Sequence, residues 1–274
     1  MLNYIKSECY RISHRPALYV TTLLLSVFVV GLIMLIAMFA WDTDNASAVS
    51  AGVTYAGLIS SPQVFMYMAA IVSCLIYSSV HKYGDVKNTV AGGLSRVQIF
   101  AGKCFTSLLA ATIIMIIVLT VWITSAELLL KPGGPFTARD LLLEVPAVYL
   151  IAAANVITIL FFFELFKREL LVFLAWAALW FILPTMLHYL GMQIELFADI
   201  ASWMPYQFFK SAVDINTLAS GQVNNISWQI TVAEQVGSVL WYTSEGLFKC
   251  LLSGAIGVAI FSLSGWLVLR RRDL

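Results

Sequence analysis

The segment from His81 to Lys103 concentrates the side chains able to do chemistry. His81, Lys82, Asp85, Lys87 and Asn88 come first, then a Gly92-Gly93 pair, Ser95, Arg96 and finally Lys103, with apolar Val97, Ile99 and Phe100 set among them. A connection that only reverses the chain is usually a few residues long. This one has room for a short helix that seats Val97, Ile99 and Phe100 on another surface, flanked by Arg96 and Lys103. Phosphate binding is not encoded here: Gly92-Gly93 lacks a following Lys, and Gly-x-x-x-x-Gly-Lys-Ser/Thr occurs nowhere in the chain. The histidines His14, His81 and His188 belong to no His-Glu-x-x-His pattern, and Gly-x-Ser-x-Gly is absent too. No catalytic, cofactor-binding or metal-ligating residue is assigned.

Two further constellations are aromatic. Gln63, Tyr67, Cys74, Tyr77 and His81 fall within ~40° of one line at ~100° per residue, a polar and aromatic stripe on one helix. Phe173, Trp176 and Trp180 align in the same way on another. Such faces suit the wall of a pathway for an amphipathic or apolar substrate, or a dimer interface; helix packing and lipid contact explain them equally simply.

These residues sit on elements that a membrane dictates. Pro16 to Trp41, Pro62 to Val80, Cys104 to Ala126, Val145 to Phe163, Leu170 to Leu187 and Cys250 to Leu269 contain no Asp, Glu, Lys or Arg. Crossing ~30 Å of hydrocarbon takes ~20 apolar residues in a helix. The expectation is an all-α polytopic membrane protein with six transmembrane helices at about 16–41, 62–81, 104–126, 145–166, 169–190 and 248–269. Composition agrees: 61% hydrophobic and 11% charged, with mean hydropathy +0.89, is far from the ~45–50% apolar and ~25% charged of soluble domains. Residues 1–274 read as one membrane domain.

Orientation follows from Lys and Arg. With the N-terminus inside, twelve of the 16 basic residues are cytoplasmic, from Lys6, Arg11 and Arg15 to Arg270, Arg271 and Arg272; ten of the 15 acids lie outside. Both termini are expected in the cytoplasm. The basic residues are spread over four juxtamembrane sites, which serves anchoring and not nucleic-acid binding. The first uncharged run exceeds the 7–15 residues of a signal-peptide core, so it is expected to remain as a helix.

Residues 1–15 carry Leu2, Ile5, Cys9 and Ile12 at helical spacing among Lys6, Glu8, Arg11 and Arg15, as an N-terminal amphipathic interfacial helix would. The segments after Trp41 and around Lys131 to Glu144 read as external loops. Residues 191–247 form the longest external segment, its first half, with Trp203, Pro205, Tyr206, Phe208 and Phe209, resting on the interface as short or re-entrant helices. Only Lys167, Arg168 and Glu169 join the fourth and fifth spans, which implies a tight antiparallel hairpin, and Glu164 is placed for an interfacial ion pair with that basic pair. Cys9, Cys74, Cys104 and Cys250 have no metal-ligand spacing and read as reduced, small apolar side chains.

The His81 to Lys103 segment resembles a cytoplasmic loop of ABC-2-type permeases. Asp85, Lys87, Asn88, Gly93, Leu94, Ser95, Arg96 and Lys103 match that loop in order, and the chain adds a Trp-x-Pro-Tyr step at Trp203 to Tyr206 and a terminal Arg-Arg-Arg-Asp at Arg270 to Asp273. The resemblance is to small bacterial permeases of peptide, lantibiotic and toxin exporters. It implies a permease subunit in the plasma membrane, paired with a second copy or a homologous permease and with two cytoplasmic ATPase subunits that bind ATP and Mg2+. Residues 82–103 would be the coupling element, with Asp85, Lys87, Asn88, Arg96, Val97, Ile99, Phe100 and Lys103 as its contacts. An amphipathic or hydrophobic peptide is the implied substrate, with drugs, ions or glycolipids as alternatives. An intramembrane enzyme and a non-catalytic scaffold are the readings from other classes.

Overall fold

The structure, a computed structural model, describes residues 2–41, 50–59, 63–82, 93–133, 136–166, 168–206 and 244–271. Every regular element among them is helical, apart from an isolated bridge between Ser50 and Lys131. The elements are α1 (Leu2–Ser13), α2 (Pro16–Trp41), α3 (Ala51–Ile59), α4 (Gln63–Lys82), α5 (Arg96–Leu129), α6 (Ala138–Phe166), α7 (Glu169–Ala177), a π-helical turn (Ala178–Ile182), α8 (Leu183–Gly191), α9 (Glu195–Ser202) and α10 (Ser244–Arg271). Asp85, Lys87, Asn88, Phe208, Phe209 and Asp273 lie outside the described residues.

Five stretches are long and apolar enough to cross a membrane: in α2, in α5, in α6, across α7 to α8, and in α10. They fit a multi-pass membrane protein. Helices α3 and α4 meet the same test only as a pair, inclined at 71°. The segment after Trp41 is thus not wholly an external loop. Ala51, Tyr55, Leu58 and Ile59 are buried, and α3 packs on α5 and α6. Nine residues are too few to span hydrocarbon, which hides this helix from a search for spans. Its Tyr55 hydroxyl donates to the Glu127 carboxylate of α5 at 2.7 Å.

Helix α6 is the hub. Burial takes 67% of its apolar window, against 11% for α2, so α6 is wrapped by protein while α2 turns Leu23, Leu24, Val27 and Phe28 outward. A wide apolar outer surface is what a helix bundle presents when its solvent is hydrocarbon. The α6 seam with α10 is built on small residues. A Cβ on Gly254 would meet Leu150 at 2.7 Å and the Ile151 backbone at 2.9 Å, and one on Gly257 would meet Ala154 at 2.9 Å. Backbones approach this closely only where side chains are small. Matching 254 with 150–151 and 257 with 154 makes α6 and α10 parallel.

Both α5 and α6 outrun the uncharged stretches that announce them. For α6 the start is local chemistry: Thr137 N–H and Oγ both donate to Asp140 Oδ2, at 2.9 and 2.8 Å, so the Asp140 carboxylate reaches back to tie down the residue before the helix opens at Ala138. Arg139, Asp140 and Glu144 therefore belong to its first turns and not to a loop.

Candidate functional site

Tyr67 and Tyr77 are ten residues apart on α4, ~15 Å along its axis at ~1.5 Å per residue. They enter different surroundings. Tyr77 is buried, and its hydroxyl donates to Oε1 of Glu164 on α6. Lys103 of α5, also buried, holds its ammonium 4.9 Å from the Tyr77 ring centroid, within cation–π range. Phe163 covers the ring at 5.1 Å between centroids. The Cys104 thiol is within electrostatic reach of both Glu164 and Lys103. Tyr4 of α1 closes the group: a Cβ on Gly102 would meet its ring at 2.7 Å. Beside it, the Arg15 guanidinium donates to the Ile76 carbonyl. Helices α1, α4, α5 and α6 thus share one buried polar junction. Charged groups persist away from water when hydrogen bonds, rings and opposite charges surround them. Glu164 is consequently a buried acceptor of Tyr77 and not a surface carboxylate; Lys167, one of its expected partners, lies outside the described residues.

The remaining residues of the 82–103 segment divide. Ser95 is the N-cap of α5. Its Oγ accepts from Gln98 N–H, and the Gln98 side chain accepts from Ser95 N–H. That capping box starts the helix at Arg96, so Val97, Ile99 and Phe100 form the first turns of a 34-residue helix and not a separate short one. Ile99 and Phe100 are buried within this chain; a Cβ on Gly265 of α10 would lie 2.4 Å from the Phe100 ring. Of the apolar residues expected to dock on a partner, Val97 alone is exposed, at 41%. Lys103 faces inward and flanks nothing outside.

The aromatic constellation is partly assembled. Tyr67 stacks on Phe181 at 4.9 Å with 6° between planes, and meets Trp176 edge-on at 6.0 Å. Phe173 lies 5.4 Å from Trp176, and Tyr206 abuts Phe181 at 4.9 Å. The cluster is keyed to α6 by Trp176 Nε1, which donates to Asn155 Oδ1 at 2.8 Å, while Asn155 Nδ2 donates to the Ile151 carbonyl. This bond also pins the hairpin of α6 and α7. Trp180 departs from the expected face: the Leu183 N–H bonds to the Ala178 carbonyl, a five-residue step that widens the turn. Trp180 points to α10, 6.5 Å from Phe261. Gln63 is half-buried at the first position of α4. Tyr67 and Phe173, 42% and 43% exposed, leave the cluster an outward aromatic edge. Within the chain, α4, α5 and α6 enclose a cavity of about 20 Å³, room for a single water.

At the opposite end of α6, Glu144 is fully buried, and neither of its carboxyl oxygens has a hydrogen-bond partner among the described residues. It is within electrostatic reach of the buried Cys250 thiol of α10. Reading the helix from Ala138 puts Leu141, Glu144, Val148 and Ile151 on one face at helical spacing; a start at Val145 conceals that signal. Among the described residues no three His, Cys, Asp or Glu side chains group to hold a metal ion. No protein-family model matches the chain, and no curated protein or solved structure matches it either.

Proposed function

We propose that this chain is the permease subunit of an ATP-driven exporter of the ABC-2 kind. It has six spans, with α3 and α4 forming the second as a broken helix, and both termini in the cytoplasm of a bacterial cell. The observation that carries this reading is the ending of both feet of the 82–95 segment, α4 on one side and α5 on the other, in one buried junction at Tyr77, Lys103 and Glu164. A force applied to that segment passes directly into the membrane helices. The ATPase contact falls to Asp85, Lys87, Asn88, Arg96 and exposed Val97, with Ile99 and Phe100 acting from inside as the anchor. Two ATPase subunits carry the ATP and Mg2+ chemistry. The exposed aromatic edge at Tyr67 and Phe173 supports pairing with a second permease, the pathway forming between the two, and an amphipathic or hydrophobic peptide fits such a wall.

The test is affinity purification of the tagged chain from native membranes in mild detergent. An ATPase subunit should co-purify with the wild type, and Val97→Asp, which puts a charge at an exposed apolar contact, should reduce its yield several-fold. A chain that brings down no ATPase, or an association indifferent to Val97→Asp, Arg96→Glu and Lys87→Glu alike, would overturn the reading.

A further inference from the structure

Between α1, α2 and α5 lies a groove of about 660 Å³, within the ~300–1,000 Å³ of pockets that hold small ligands. Leu18, Leu23, Leu109, Ala110, Ile113 and Ile117 supply its apolar walls. On the α2 and α5 walls the hydroxyls of Thr22, Ser26 and Thr106 donate to carbonyls of their own helices, at Leu18, Thr22 and Gly102, and near α1 those of Ser13 and Tyr19 donate to the Tyr10 and Ser13 carbonyls. They are spent on the backbone. The chemistry of the walls is therefore hydrocarbon.

Dimensions identify the occupant. From Thr106 to Ile117 the α5 wall rises ~16 Å at ~1.5 Å per residue, about half of a ~30 Å hydrocarbon core. That is the depth of one leaflet. Its α1 end is polar and basic: Tyr10 and Ser13 line it, and exposed Lys6 lies on the same helical face, four and seven residues earlier. Arg11 is ion-paired with Glu8 and Arg15 reaches the Ile76 carbonyl, so exposed Lys6 supplies the positive charge at this end. An apolar groove beside hydrocarbon does not stay empty, because its lining would forfeit dispersion contacts. A lipid tail gains no hydrophobic energy there, tails being as apolar as Leu. Selection must come from the headgroup.

We infer that this groove is a binding site for an anionic phospholipid, one acyl chain lying between α2 and α5 and its headgroup beside Lys6, Tyr10 and Ser13 of α1. The inference needs only that the helices sit in a bilayer, and so stands or falls apart from the transport reading. A site of this kind would hold α1 against α2 and α5 and make its position sensitive to lipid charge.

The experiment is native mass spectrometry of the full chain released from mixed micelles containing equal amounts of phosphatidylglycerol and phosphatidylcholine with identical acyl chains. Wild type should retain phosphatidylglycerol in preference. Lys6→Glu should cut that preference about fivefold or more, the effect of a single cation near a charged lipid surface. Ile113→Trp and Thr22→Trp, which fill the groove from opposite walls, should each lose the retained lipid, whereas Ile256→Trp on the exposed side of α10 should keep it. Equal retention of the two lipids by the wild type, or a preference that survives both groove-filling variants or Lys6→Glu, would overturn the proposal. So would a loss of dimer mass with Ile113→Trp, which would assign the groove to a second copy.

Discussion

The two ends of α6 each bury a glutamate, and they treat it in opposite ways. Glu164 accepts from Tyr77 in a junction shared with Lys103, where α4, α5 and α6 exchange polar contacts and the Tyr4 ring of α1 packs against Gly102. Glu144 sits where α6 meets α10 along a small-residue seam, with no hydrogen bond to its carboxyl among the described residues. The first end is held by directional bonds, which can be remade in a second arrangement. The second is held by backbone proximity, which cannot slide without a clash. Under the permease proposal, a push received at the Tyr77 end would pivot on the Gly254 seam.

The largest expected effect probes the seam. Gly254→Val adds atoms where even a Cβ would meet the Leu150 side chain at 2.7 Å and the Ile151 backbone at 2.9 Å. Overpacking of this kind costs about 3 kcal/mol, so thermal unfolding in detergent should show a large loss of stability. A Gly254→Val protein as stable as wild type would mean that the seam is loose and is no pivot.

The next effect separates the two glutamates. Glu164→Leu removes the acceptor of the buried Tyr77 hydroxyl and should cost about 1–3 kcal/mol. Glu144→Leu removes a buried carboxyl that bonds to nothing described, and should be neutral or stabilising. Equal destabilisation by both, read in the same unfolding assay, would erase the contrast between the ends.

The smallest concerns the tryptophans. Trp176→Phe deletes the bond to Asn155 and leaves its amide oxygen buried, at about 1 kcal/mol for the lost bond. Trp180 Nε1 has no hydrogen-bond partner among the described residues, so Trp180→Phe should cost less. The reverse order would show that the π-helical turn does not aim the two rings as described.

How much of this was legible in the residues follows from what each signal measures. Absence of charge located α2 to its boundaries, because Pro16 and Trp41 bracket one uninterrupted apolar run. Charge did not separate α3 from α4, since residues 45–81 carry none; starting the span at Pro62 left out this nine-residue helix, while charge cut α6 short at Arg139, Asp140 and Glu144. It also concealed the capping box at Ser95 and Gln98, which converts an expected docking helix into the opening of α5 and takes Ile99 and Phe100 inside. A uniform 100° per residue grouped Tyr67 with Tyr77 and Trp176 with Trp180. Axial distance divides the first pair, and the widened turn at Ala178–Ile182 divides the second. The polar partners, Tyr77 with Glu164 and Asn155 with Trp176, join residues far apart in sequence, and no local pattern announces such pairs.

The permease proposal turns on the junction at Tyr77 passing work from a partner ATPase to the membrane helices. Its most direct test is Tyr77→Phe in the complex reconstituted into vesicles, with ATP hydrolysis and ATP-driven export followed together. The substitution keeps the ring that faces Lys103 and deletes only the hydroxyl that reaches Glu164. Wild-type assembly, sustained hydrolysis and export reduced at least several-fold are expected. Export at the wild-type rate per ATP hydrolysed, by a normally assembled complex, would contradict the proposal.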